Sequence, residues 1–529
     1  MIRSQPVLET ARNEPLWTAT AKLPKFTRLT KNVQADVCIV GAGIAGLSCG
    51  YLLMKAGKSV VILDDGPIAS GMTSVTTAHL ANAIDDRFYE MERLHGEFGS
   101  RMAAESHTAA INRIEAISKL EEIDCDFTRL DGYLFLSPGE PEEILDRELA
   151  AAHRAGLTDV EKMSRMPWDF YDAGPCLRFP NQGQFHPLKY LSGLAKVIKR
   201  GGGRIYTESH ADRIEGGAKA TVQVGERTVT ADAVIVATNS PINDLVAIHT
   251  KQAPYMTYVI GARIPRGSVP PALYWDTGPE STQGREAPYH YIRLQRAPGR
   301  RAHEYLIVGG EDHKSGQADD TQERHRRLEE WTRNRFPMME EVEFVWAGQV
   351  METIDGVAFI GRNPLDADNV YVVTGDSGMG MTHGTIAGIL LTDLIVGRDN
   401  PWAKLYDPTR KTVRAFGTFA KEAINMAAQY TDWVTGGDVS GVEEIGLDQG
   451  AVLRRGLRKV AIYRDEQGAM HERSAVCNHL GCIVHWNTAE KTWDCPCHGS
   501  RFDKHGKVIN GPANDDLAPV EPPSAESNG

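Results

Sequence analysis

ADVCIVGAGIAGLSCGYLLMKAGKSVVILD, which spans residues 35–64, decides the fold of the first part of this chain. The apolar run 35–40 predicts a short buried strand that leads directly into a glycine-rich turn. A helical pattern over 47–56 ends at Gly57, a residue type typical of helix C-termini. The next apolar run, 59–63, predicts a second strand. The stretch therefore predicts a complete βαβ unit rather than an isolated glycine motif.

The glycine spacing of this unit, G-x-G-x-x-G, is typical of dinucleotide binding. Gly41 permits the tight turn, Gly43 lets the backbone approach a diphosphate, and Gly46 allows close packing of the helix against the strand. The free N–H groups and the dipole at the N-terminus of the helix favour an anion. Asp64, at the end of the second strand, is placed to accept hydrogen bonds from ribose hydroxyls. The predicted dinucleotide-binding residues are Gly41, Gly43, Ile44, Ala45, Gly46 and Asp64.

Later segments favour FAD over a nicotinamide dinucleotide. The small, hydroxyl-rich loop 69–78 could let a flavin ring lie close to the backbone, and a buried strand over 233–239 ends in a small-residue turn. The glycine-rich turn 375–384 precedes a predicted helix over 385–396, whose N-terminus could face the polar edge of a flavin. A nicotinamide site would need another acidic strand end after this turn, and the sequence offers none. The predicted flavin contacts are Thr73, Ser74, Thr77, Ala237, Gly378, Gly380, Met381 and Thr382.

Two boxes of cysteine and histidine lie near the C-terminus, Cys477-Asn478-His479-Leu480-Gly481-Cys482 and Cys495-Pro496-Cys497-His498-Gly499-Ser500. Together they supply the two thiolates and two imidazoles that a Rieske [2Fe–2S] centre needs. Zinc is the alternative metal, because Cys and His pairs also form structural zinc sites. A zinc ligand set would usually read as a pair of cysteines followed by a pair of histidines, whereas each box here mixes the two residue types and adds a further cysteine. The pattern favours the iron–sulfur centre over zinc.

The two boxes resemble those of Rieske proteins of the cytochrome-bc type, which read CTHLGC and CPCHGS. The resemblance implies that the chain holds one [2Fe–2S] cluster. By the same resemblance, Cys477 and Cys495 bind one iron, and His479 and His498 bind the other.

The resemblance also implies two features that enclose the cluster. A disulfide between Cys482 and Cys497 would link the two cluster-binding loops. Gly511 and Pro512 would begin the proline loop that covers the cluster in that family.

Two further residues set the expected reduction potential of the cluster. Ser500, a hydrogen-bond donor to the cluster sulfurs in the family that the boxes resemble, is present in this chain. Phe502 stands where high-potential members have a tyrosine whose hydroxyl donates to a ligand sulfur. Because hydrogen bonds to sulfur stabilise the reduced cluster, we expect a midpoint potential below the top of the Rieske range of about −150 to +300 mV.

The composition restricts the class of protein and its partners. The 529 residues are 41% hydrophobic and 24% charged, which is ordinary for a globular chain long enough for two or three domains. The net charge of −12 argues against a nucleic-acid partner, since binding to phosphates requires a basic face. The sequence contains neither an export signal nor an apolar run of about 18 residues, which predicts a cytoplasmic protein without a transmembrane anchor.

Several segments together resemble FAD-dependent oxidoreductases of the D-amino-acid-oxidase-like family. The matching features are the glycine fingerprint, the Val-Ala-Thr-Asn turn at 236–239, and the runs 346–349 and 355–361. The resemblance implies a small organic substrate, an amine or amino acid, that is oxidised by hydride transfer from a C–H bond beside nitrogen. Some members attach the flavin through a His or Cys near the positions of Ser74 and Val75, so we expect FAD to be bound non-covalently here.

The expected architecture is a doubly wound α/β FAD-binding domain with an inserted α+β substrate domain, followed by an all-β Rieske domain. The resemblance implies that the substrate domain is inserted in two pieces. The predicted boundaries are 30–110, 181–250 and 346–400 for the FAD-binding domain, 111–180 and 251–345 for the substrate domain, 401–437 for a helical linker, and 438–529 for the Rieske domain.

Candidate residues for contact with the substrate lie in the predicted substrate domain. His290, Tyr291 and Arg293 belong to one predicted strand over 287–296, and His313 follows a later glycine pair. Successive residues of a strand face opposite sides, so His290 and Arg293, three residues apart, point in different directions. An inward arginine could bind a substrate carboxylate through two hydrogen bonds. A solvent-exposed strand of a large sheet would carry the same residues, so both interpretations stay open.

The combination of sites predicts a flavin dehydrogenase fused to its own one-electron acceptor, with onward transfer to an unknown partner protein. In a second hypothesis, an external donor reduces the cluster, which supplies FAD with electrons for a monooxygenase-like or reductive reaction. A third hypothesis is a non-catalytic redox sensor. A Rieske oxygenase is disfavoured, because no closely spaced histidine pair in the front of the chain offers a mononuclear iron site.

Overall fold

The computed structural model describes residues 11–520 except 244–247, 279–288, 298, 300–301, 319 and 412. Residues 521–529 of the predicted Rieske domain and residues 287–288 of the predicted strand over 287–296 lie outside the described residues. Within the described part of the chain, no helix combines the length and the apolar character that crossing a membrane requires.

A mostly parallel sheet, called the parallel sheet below, forms the base of the first domain. In spatial order its strands are Phe359–Arg362, Val370–Thr374, Arg227–Val236, Val33–Val40, Val60–Leu63 and Arg204–Tyr206, and Ala220–Val224 and Arg213–Glu215 extend it from Arg227–Val236. Its central strands pair in parallel and are buried, as their continuous apolar sequences predict. The carboxyl ends of these strands therefore bring the glycine-rich turns of the sequence to one edge.

Two helices that follow those turns pack closely against each other. They are Ile44–Lys55 and Gly380–Ile395. A Cβ atom at Gly384 would lie 3.0 Å from the backbone nitrogen of Ala45, so only glycine permits this approach. Both helix N-termini consequently point toward the same edge of the parallel sheet.

A larger and mostly antiparallel sheet, called the large sheet below, forms the second layer. In spatial order its strands are Arg12–Asn13, Val342–Thr353, Gln252–Pro265, His303–Lys314, Tyr291–Arg296, Leu273–Asp276, Thr128–Phe135, Cys176–Gln184 and His79–Leu80, and Glu161–Met163 also pairs with Cys176–Gln184. Strand Val342–Thr353 belongs wholly to this sheet, although the predicted boundary between substrate and FAD-binding segments falls at residue 346. The domain boundaries themselves stay predictions.

The C-terminal module consists of two small antiparallel sheets. Their strands are Gln449–Arg455, Arg458–Arg464 and Met470–Ser474 in the first, and His485–Asn487, Thr492–Asp494, Arg501–Asp503 and Val508–Asn510 in the second. Tyr463, Trp493 and Phe502 are buried in the core of this module. The predicted fold class, an α/β domain with an inserted sheet and an all-β C-terminal module, is confirmed.

The other described helices surround the sheets and form the linker. They are Leu16–Thr20, Met72–Val75, Phe88–Leu120, Glu143–Arg154, Pro187–Arg200, Thr321–Arg335, Ala403–Tyr406 and Phe416–Gln429, with 3₁₀ turns at His249–Lys251, Val413–Ala415, Tyr430–Trp433 and Val442–Glu444. At the end of the linker, the Tyr430 hydroxyl donates to the carbonyl oxygen of Leu480, and the Trp433 indole N–H donates to that of Gly481, both at 2.9 Å. The linker thus holds the first cysteine–histidine box.

A buried ion pair fastens the linker to the first domain. Arg410 donates to both carboxylate oxygens of Asp355, at 2.7 and 2.8 Å, and to the carbonyl oxygen of Ala358 at 2.8 Å. Its guanidinium carbon lies 4.0 Å from the ring centre of Phe359. Because both charged side chains are buried, removal of either partner would leave an uncompensated charge.

Replacing Arg410 with methionine is expected to lower the free energy of unfolding of the first domain by about 3–5 kcal/mol, because Asp355 would stay buried without its partner. The matched control is Arg398→Met, which removes an exposed partner of Asp393 and should cost about 1 kcal/mol or less. Urea unfolding followed by circular dichroism measures both losses. Equal losses in the two variants would contradict the role given to the buried pair.

Candidate functional site

The glycine-rich turn after strand Val33–Val40 is shaped to receive a diphosphate. Gly41 has a φ of 105°, and a Cβ atom there would clash with the carbonyl group of Ala237. A Cβ atom at Gly46 would overlap the carbonyl oxygen of Gly41, so the helix begins this close to the strand only because glycine is present. Gly43 at the N-cap has no side chain to cap the helix, and Thr73 Oγ1 accepts only from the N–H of Ile44, at 3.2 Å, which leaves the following backbone N–H groups for an anion.

Asp64 closes this turn from the neighbouring strand. Its Oδ2 accepts from the N–H of Ala42 at 2.7 Å, and its Oδ1 accepts from the N–H of Gly66 at 2.9 Å. Burial nevertheless raises the pKa of Asp64 to about 7. Hydroxyl donors from a bound ribose would stabilise the ionised carboxylate, so the residue suits its predicted role.

The turns open into one cavity of about 1300 Å³ that residues from both sheets line, called the cofactor cavity below. This volume exceeds the roughly 300–1,000 Å³ of an ordinary small-molecule site, which leaves room for a dinucleotide and a substrate. The predicted cofactor residues in its wall are Gly41, Gly43, Ile44, Ala45, Asp64, Thr73, Thr77, Ala237, Gly378, Gly380 and Met381.

Three predicted cofactor residues lie behind the wall of the cavity. Gly46 packs against the turn. The hydroxyl of Ser74 donates to the carbonyl oxygen of Gly71 at 2.8 Å, and that of Thr382 donates to the carbonyl oxygen of Met379 at 3.0 Å. These hydroxyls are used within the protein, so their predicted contact with FAD is not supported by their position.

His79 is the histidine in the cavity wall that follows the hydroxyl-rich loop. Its Nδ1 lies 3.1 Å from the Thr77 hydroxyl, and its Nε2 lies 3.2 Å from the carbonyl oxygen of Ile292. Burial lowers the pKa of His79 to about 3, so the ring is neutral. Both ring nitrogens thus have protein partners, and non-covalent binding of FAD stays a prediction.

The predicted substrate residues divide between the two faces of the large sheet. Tyr291 lines the cofactor cavity. His290 points to the opposite face, where its Nδ1 lies 2.9 Å from Asp276 Oδ2 and its ring stacks on Trp331 at a centroid distance of 4.0 Å. His313 is also buried outside the cavity wall, with its Nε2 3.0 Å from the hydroxyl of Tyr258.

Arg293 has a structural environment rather than a substrate-binding one. Its side chain is 0% exposed, and its Nη2 donates to Gln295 Oε1 at 2.6 Å. Its Nη1 donates to three backbone carbonyl groups, those of Thr77, Ala78 and Phe185. The predicted clamp on a substrate carboxylate is therefore not supported by the position of Arg293, nor is substrate contact by His290 and His313.

The two C-terminal boxes fold into similar loops, called the cluster loops below. In each loop, the N–H four residues after the ligand cysteine donates back to its carbonyl oxygen, at 2.9 Å from Cys477 and 3.1 Å from Cys495. The side chains of these two cysteines contact each other. The rings of His479 and His498 lie 4.9 Å apart, centre to centre. The structure thus brings the predicted ligands together, in a donor set that suits a [2Fe–2S] cluster.

Hydrogen-bond donors surround the cysteine sulfurs. The N–H groups two and three positions after Cys477 and after Cys495 donate to the respective sulfur. The hydroxyl of Ser500 also bonds to Cys477, while its oxygen accepts from the N–H of Ala513 at 2.9 Å. Donors of this kind stabilise negative charge on sulfur, as a metal-bound thiolate requires.

The residues predicted to enclose the cluster lie around these loops. Cys482 and Cys497 are joined by a disulfide with a Cα–Cα distance of 6.4 Å. Phe502 is 0% exposed. Pro512 is buried, and Gly511 approaches Ser240 of the first domain, so this loop lies between the two parts of the chain.

The histidine edge of the cluster loops faces the first domain. The ring of His249 lies 5.0 Å from that of His479 and 6.0 Å from that of His498. His249 is itself 1% exposed, and its Nε2 lies 3.1 Å from the carbonyl oxygen of Pro241. The first domain therefore covers much of this edge: His498 is buried and His479 is half-buried.

Gln349 joins the cofactor cavity directly to the cluster loops. It lies in the cavity wall, and its Nε2 donates to the carbonyl oxygen of Gly499 at 2.9 Å and to the Ser315 hydroxyl at 3.1 Å. Its Oε1 accepts from the side-chain amide of Asn510. One buried side chain thus touches both predicted redox sites.

Sequence reasoning missed several residues at these sites. Gln349 lies within a run that carries the family resemblance, but nothing in that run indicates a contact with the C-terminal module. Tyr289 shares its strand face with Tyr291, and this parity is a signal that could have found it. Asp85 and Asp312 reach the cavity from distant segments, and no local pattern marks them.

Comparison with known proteins identifies the class to which the chain belongs. Residues 36–394 match the sequence model of the FAD dependent oxidoreductase family, and residues 435–521 match that of the Rieske [2Fe-2S] domain. The chain belongs to the FAD-dependent oxidoreductases and carries a Rieske domain. It is therefore an enzyme whose cofactors are FAD and a [2Fe–2S] cluster, and the residues at both sites fit these groups.

Relatives share the two parts together or separately. The chain is 29% identical over 519 residues to YhfW of Bacillus subtilis strain 168, which is named for a Rieske 2Fe-2S centre, covering 96% of this chain and 97% of that protein. It is 28% identical over 388 residues to gamma-glutamylputrescine oxidoreductase of Escherichia coli K12, covering 71% of this chain and 87% of that protein. Its C-terminal part is 35% identical over 144 residues to the cytochrome b6-f complex iron-sulfur subunit of Synechococcus elongatus, covering 27% of this chain and 73% of that protein.

Solved structures share the fold of the first part. Glycine oxidase from Geobacillus kaustophilus superimposes with a TM-score of 0.59 at 18% identity, covering 72% of this chain and 100% of that one. L-proline dehydrogenase from P. horikoshii superimposes with a TM-score of 0.57 at 18% identity, covering 72% of this chain and 98% of that one. At such identities the likeness shows the fold alone.

The donors around the cluster loops predict how two substitutions change the reduction potential. Ser500→Ala should lower the midpoint by roughly 60–130 mV, because a hydrogen bond to a charged group is worth about 1.5–3 kcal/mol and about 59 mV corresponds to a tenfold one-electron change. Phe502→Tyr should raise the midpoint if its hydroxyl reaches a ligand sulfur. Redox titration followed by EPR measures both shifts.

The exposed Ser440→Ala, outside the cluster loops, is the control and should leave the potential unchanged. A Ser500→Ala cluster with the midpoint of the wild type would contradict the assignment of that hydroxyl as a donor to sulfur.

Proposed function

We propose that this protein is a dehydrogenase that oxidises an amine or amino-acid-like substrate and transfers the electrons to the Rieske cluster of the same chain. The observation that carries the proposal is the position of Gln349, which lines the cofactor cavity and hydrogen-bonds the loop that holds His498. When bound, FAD accepts an electron pair as a hydride and the cluster exchanges single electrons. The chain would thus couple a two-electron oxidation to two successive one-electron transfers, with an external one-electron acceptor reoxidising the cluster after each.

The burial of the histidine edge favours transfer within the chain. His479 and His498 both face His249 of the first domain. An external redox protein would have to displace that domain to reach the cluster at this edge. The contact therefore supports electron transfer between FAD and the cluster in either direction, and an external partner of the cluster, whether acceptor or donor, would have to dock at another edge.

Anaerobic mixing with candidate substrates tests the direction of electron flow. One relative is named for gamma-glutamylputrescine, so amines are tested first and amino acids second. A substrate should bleach the flavin absorbance and produce the EPR signal of the reduced cluster. A substrate that bleaches the flavin while the cluster stays oxidised would contradict the proposal, and reduction of both centres only by a reduced ferredoxin or NAD(P)H would support the second hypothesis.

Gln349→Leu is expected to slow reduction of the cluster by about tenfold, because loss of a buried hydrogen bond of roughly 1.4 kcal/mol loosens the contact between the two modules. The rate of flavin bleaching, recorded in the same stopped-flow experiment, serves as an internal reference. The matched control is Gln317→Leu. Gln317 donates to the carbonyl oxygen of Pro496 at 3.3 Å across the same interface but is not part of the cavity wall.

Both variants should retain FAD and the cluster EPR signal after chemical reduction. Equal slowing in Gln349→Leu and Gln317→Leu would show that the interface as a whole, and not the Gln349 contact, sets the rate.

A further inference from the structure

One wall of the cofactor cavity combines tyrosine rings with carboxylates. Tyr289 and Tyr291 face the cavity from the large sheet, with ring centres 5.3 Å apart. Asp85 reaches the same wall from the segment before helix Phe88–Leu120, and the Tyr289 hydroxyl donates to its Oδ1 at 3.1 Å. Asp312 reaches it from strand His303–Lys314. We call these four residues the acidic wall.

Asp312 carries an unsatisfied acceptor in the acidic wall. Its Oδ1 is buried and has no hydrogen-bond partner among the residues that the structure describes. The Thr257 hydroxyl interacts with the Asp312 carboxyl and lies 2.6 Å from the Tyr291 hydroxyl. Leaving a buried acceptor unpaired is costly, so a donor brought by a ligand would stabilise this arrangement.

Two described arginines near the acidic wall, Arg87 and Arg324, form hydrogen bonds with other groups of the protein. Arg87 lies in the cavity wall, but its Nη1 donates to the carbonyl oxygen of Asp85 at 3.0 Å and its Nη2 to that of Asp276 at 3.1 Å. Arg324 donates to the backbone carbonyl of Asp312 and, through Nε, to the carboxylate of Asp320. Burial raises the pKa of Asp85 to about 7 and that of Asp312 to about 6. Burial thus outweighs the opposing effects of Arg87 on Asp85 and of Thr257 and Arg324 on Asp312.

We propose that the acidic wall binds the ammonium group of the substrate, with the carboxyl groups of Asp312 and Asp85 as its acceptors and the two tyrosine rings beside it. The inference rests on the proposed oxidation of an amine-type substrate and names its class. Charge-assisted hydrogen bonds and contact with aromatic faces both stabilise an ammonium ion. A carboxylate next to the amine would meet Asp85 and Asp312 and be repelled.

The substrate class is therefore an amine without a carboxylate on the carbon beside nitrogen. The side chains of His290, Arg293 and His313, which could have bound a carboxylate, all lie outside the cavity wall. Among the residues that the structure describes, Arg87 is the arginine in the cavity wall, and each of its terminal nitrogens donates to a backbone carbonyl group.

A series of three matched ligands tests this charge preference on the full-length holoenzyme. Cumylamine, cumyl alcohol and α,α-dimethylphenylacetate share one apolar group and differ in charge. Cumylamine has no hydrogen on the carbon bonded to nitrogen, so it binds without being oxidised. Titration followed by the flavin absorbance and by calorimetry should give a dissociation constant for cumylamine about tenfold or more below that of the alcohol. The carboxylate should bind more weakly than the alcohol.

Asp312→Asn keeps the shape of the side chain and removes its charge. This variant should weaken cumylamine binding by about tenfold or more and leave the alcohol unchanged. The matched control is Asp159→Asn, at an exposed position outside the cavity, which should bind all three ligands as the wild type does. FAD content is measured in each variant, and Asp85→Asn replaces Asp312→Asn if the latter loses FAD.

The outcomes separate this inference from the proposed function. Equal or tighter binding of the carboxylate by the wild type would overturn the inference whether or not the cluster is reduced. Unchanged cumylamine binding in both Asp312→Asn and Asp85→Asn would overturn it as well. Selective binding of cumylamine, together with a substrate amine that bleaches the flavin but leaves the cluster oxidised, would support the acidic wall and contradict only the electron transfer.

Discussion

The buried side-chain amide of Gln349 is the interaction on which the arrangement of the two redox modules depends. A buried amide must satisfy its donors as well as its acceptor, and Gln349 does so with Ser315, Gly499 and Asn510. Two of these partners belong to the C-terminal module. These bonds fix the cluster loop at Gly499 against the wall of the cofactor cavity, and His249 contacts the histidine edge of the loops.

The large sheet separates groups that the sequence places side by side. Along the segment that enters strand Tyr291–Arg296, Tyr289 and Tyr291 face the cavity, while His290 stacks on Trp331 in the opposite core. The same sheet presents Asp312 to the cavity. Burial raises the pKa of this carboxyl group, and a cationic ligand would stabilise its ionised form. The topology of the sheet is thus linked to the chemistry of the substrate.

Much of the fold and both cofactor sites could be predicted, because their signals are local. The run from Val33 to Asp64 contains the strand, turn, helix and acid of one dinucleotide unit, and the structure brings most of its predicted residues into the cavity wall. Substrate recognition could not be predicted in this way. Arg293 has the chemistry of a carboxylate clamp, yet its partners are backbone carbonyl groups and Gln295, which come from the folded arrangement.

The amino-acid sequence by itself determined which cofactors the chain is built for, since G-x-G-x-x-G between two strands and the two cysteine–histidine boxes each place their chemistry within a few residues. Only the tertiary structure decided what surrounds those cofactors. Asp85 and Asp312 lie 227 residues apart in the sequence, and Gln349 lies 150 residues from Gly499, yet both pairs meet because two sheets enclose one cavity. Contacts over such separations depend on strand register and packing, which no local pattern encodes.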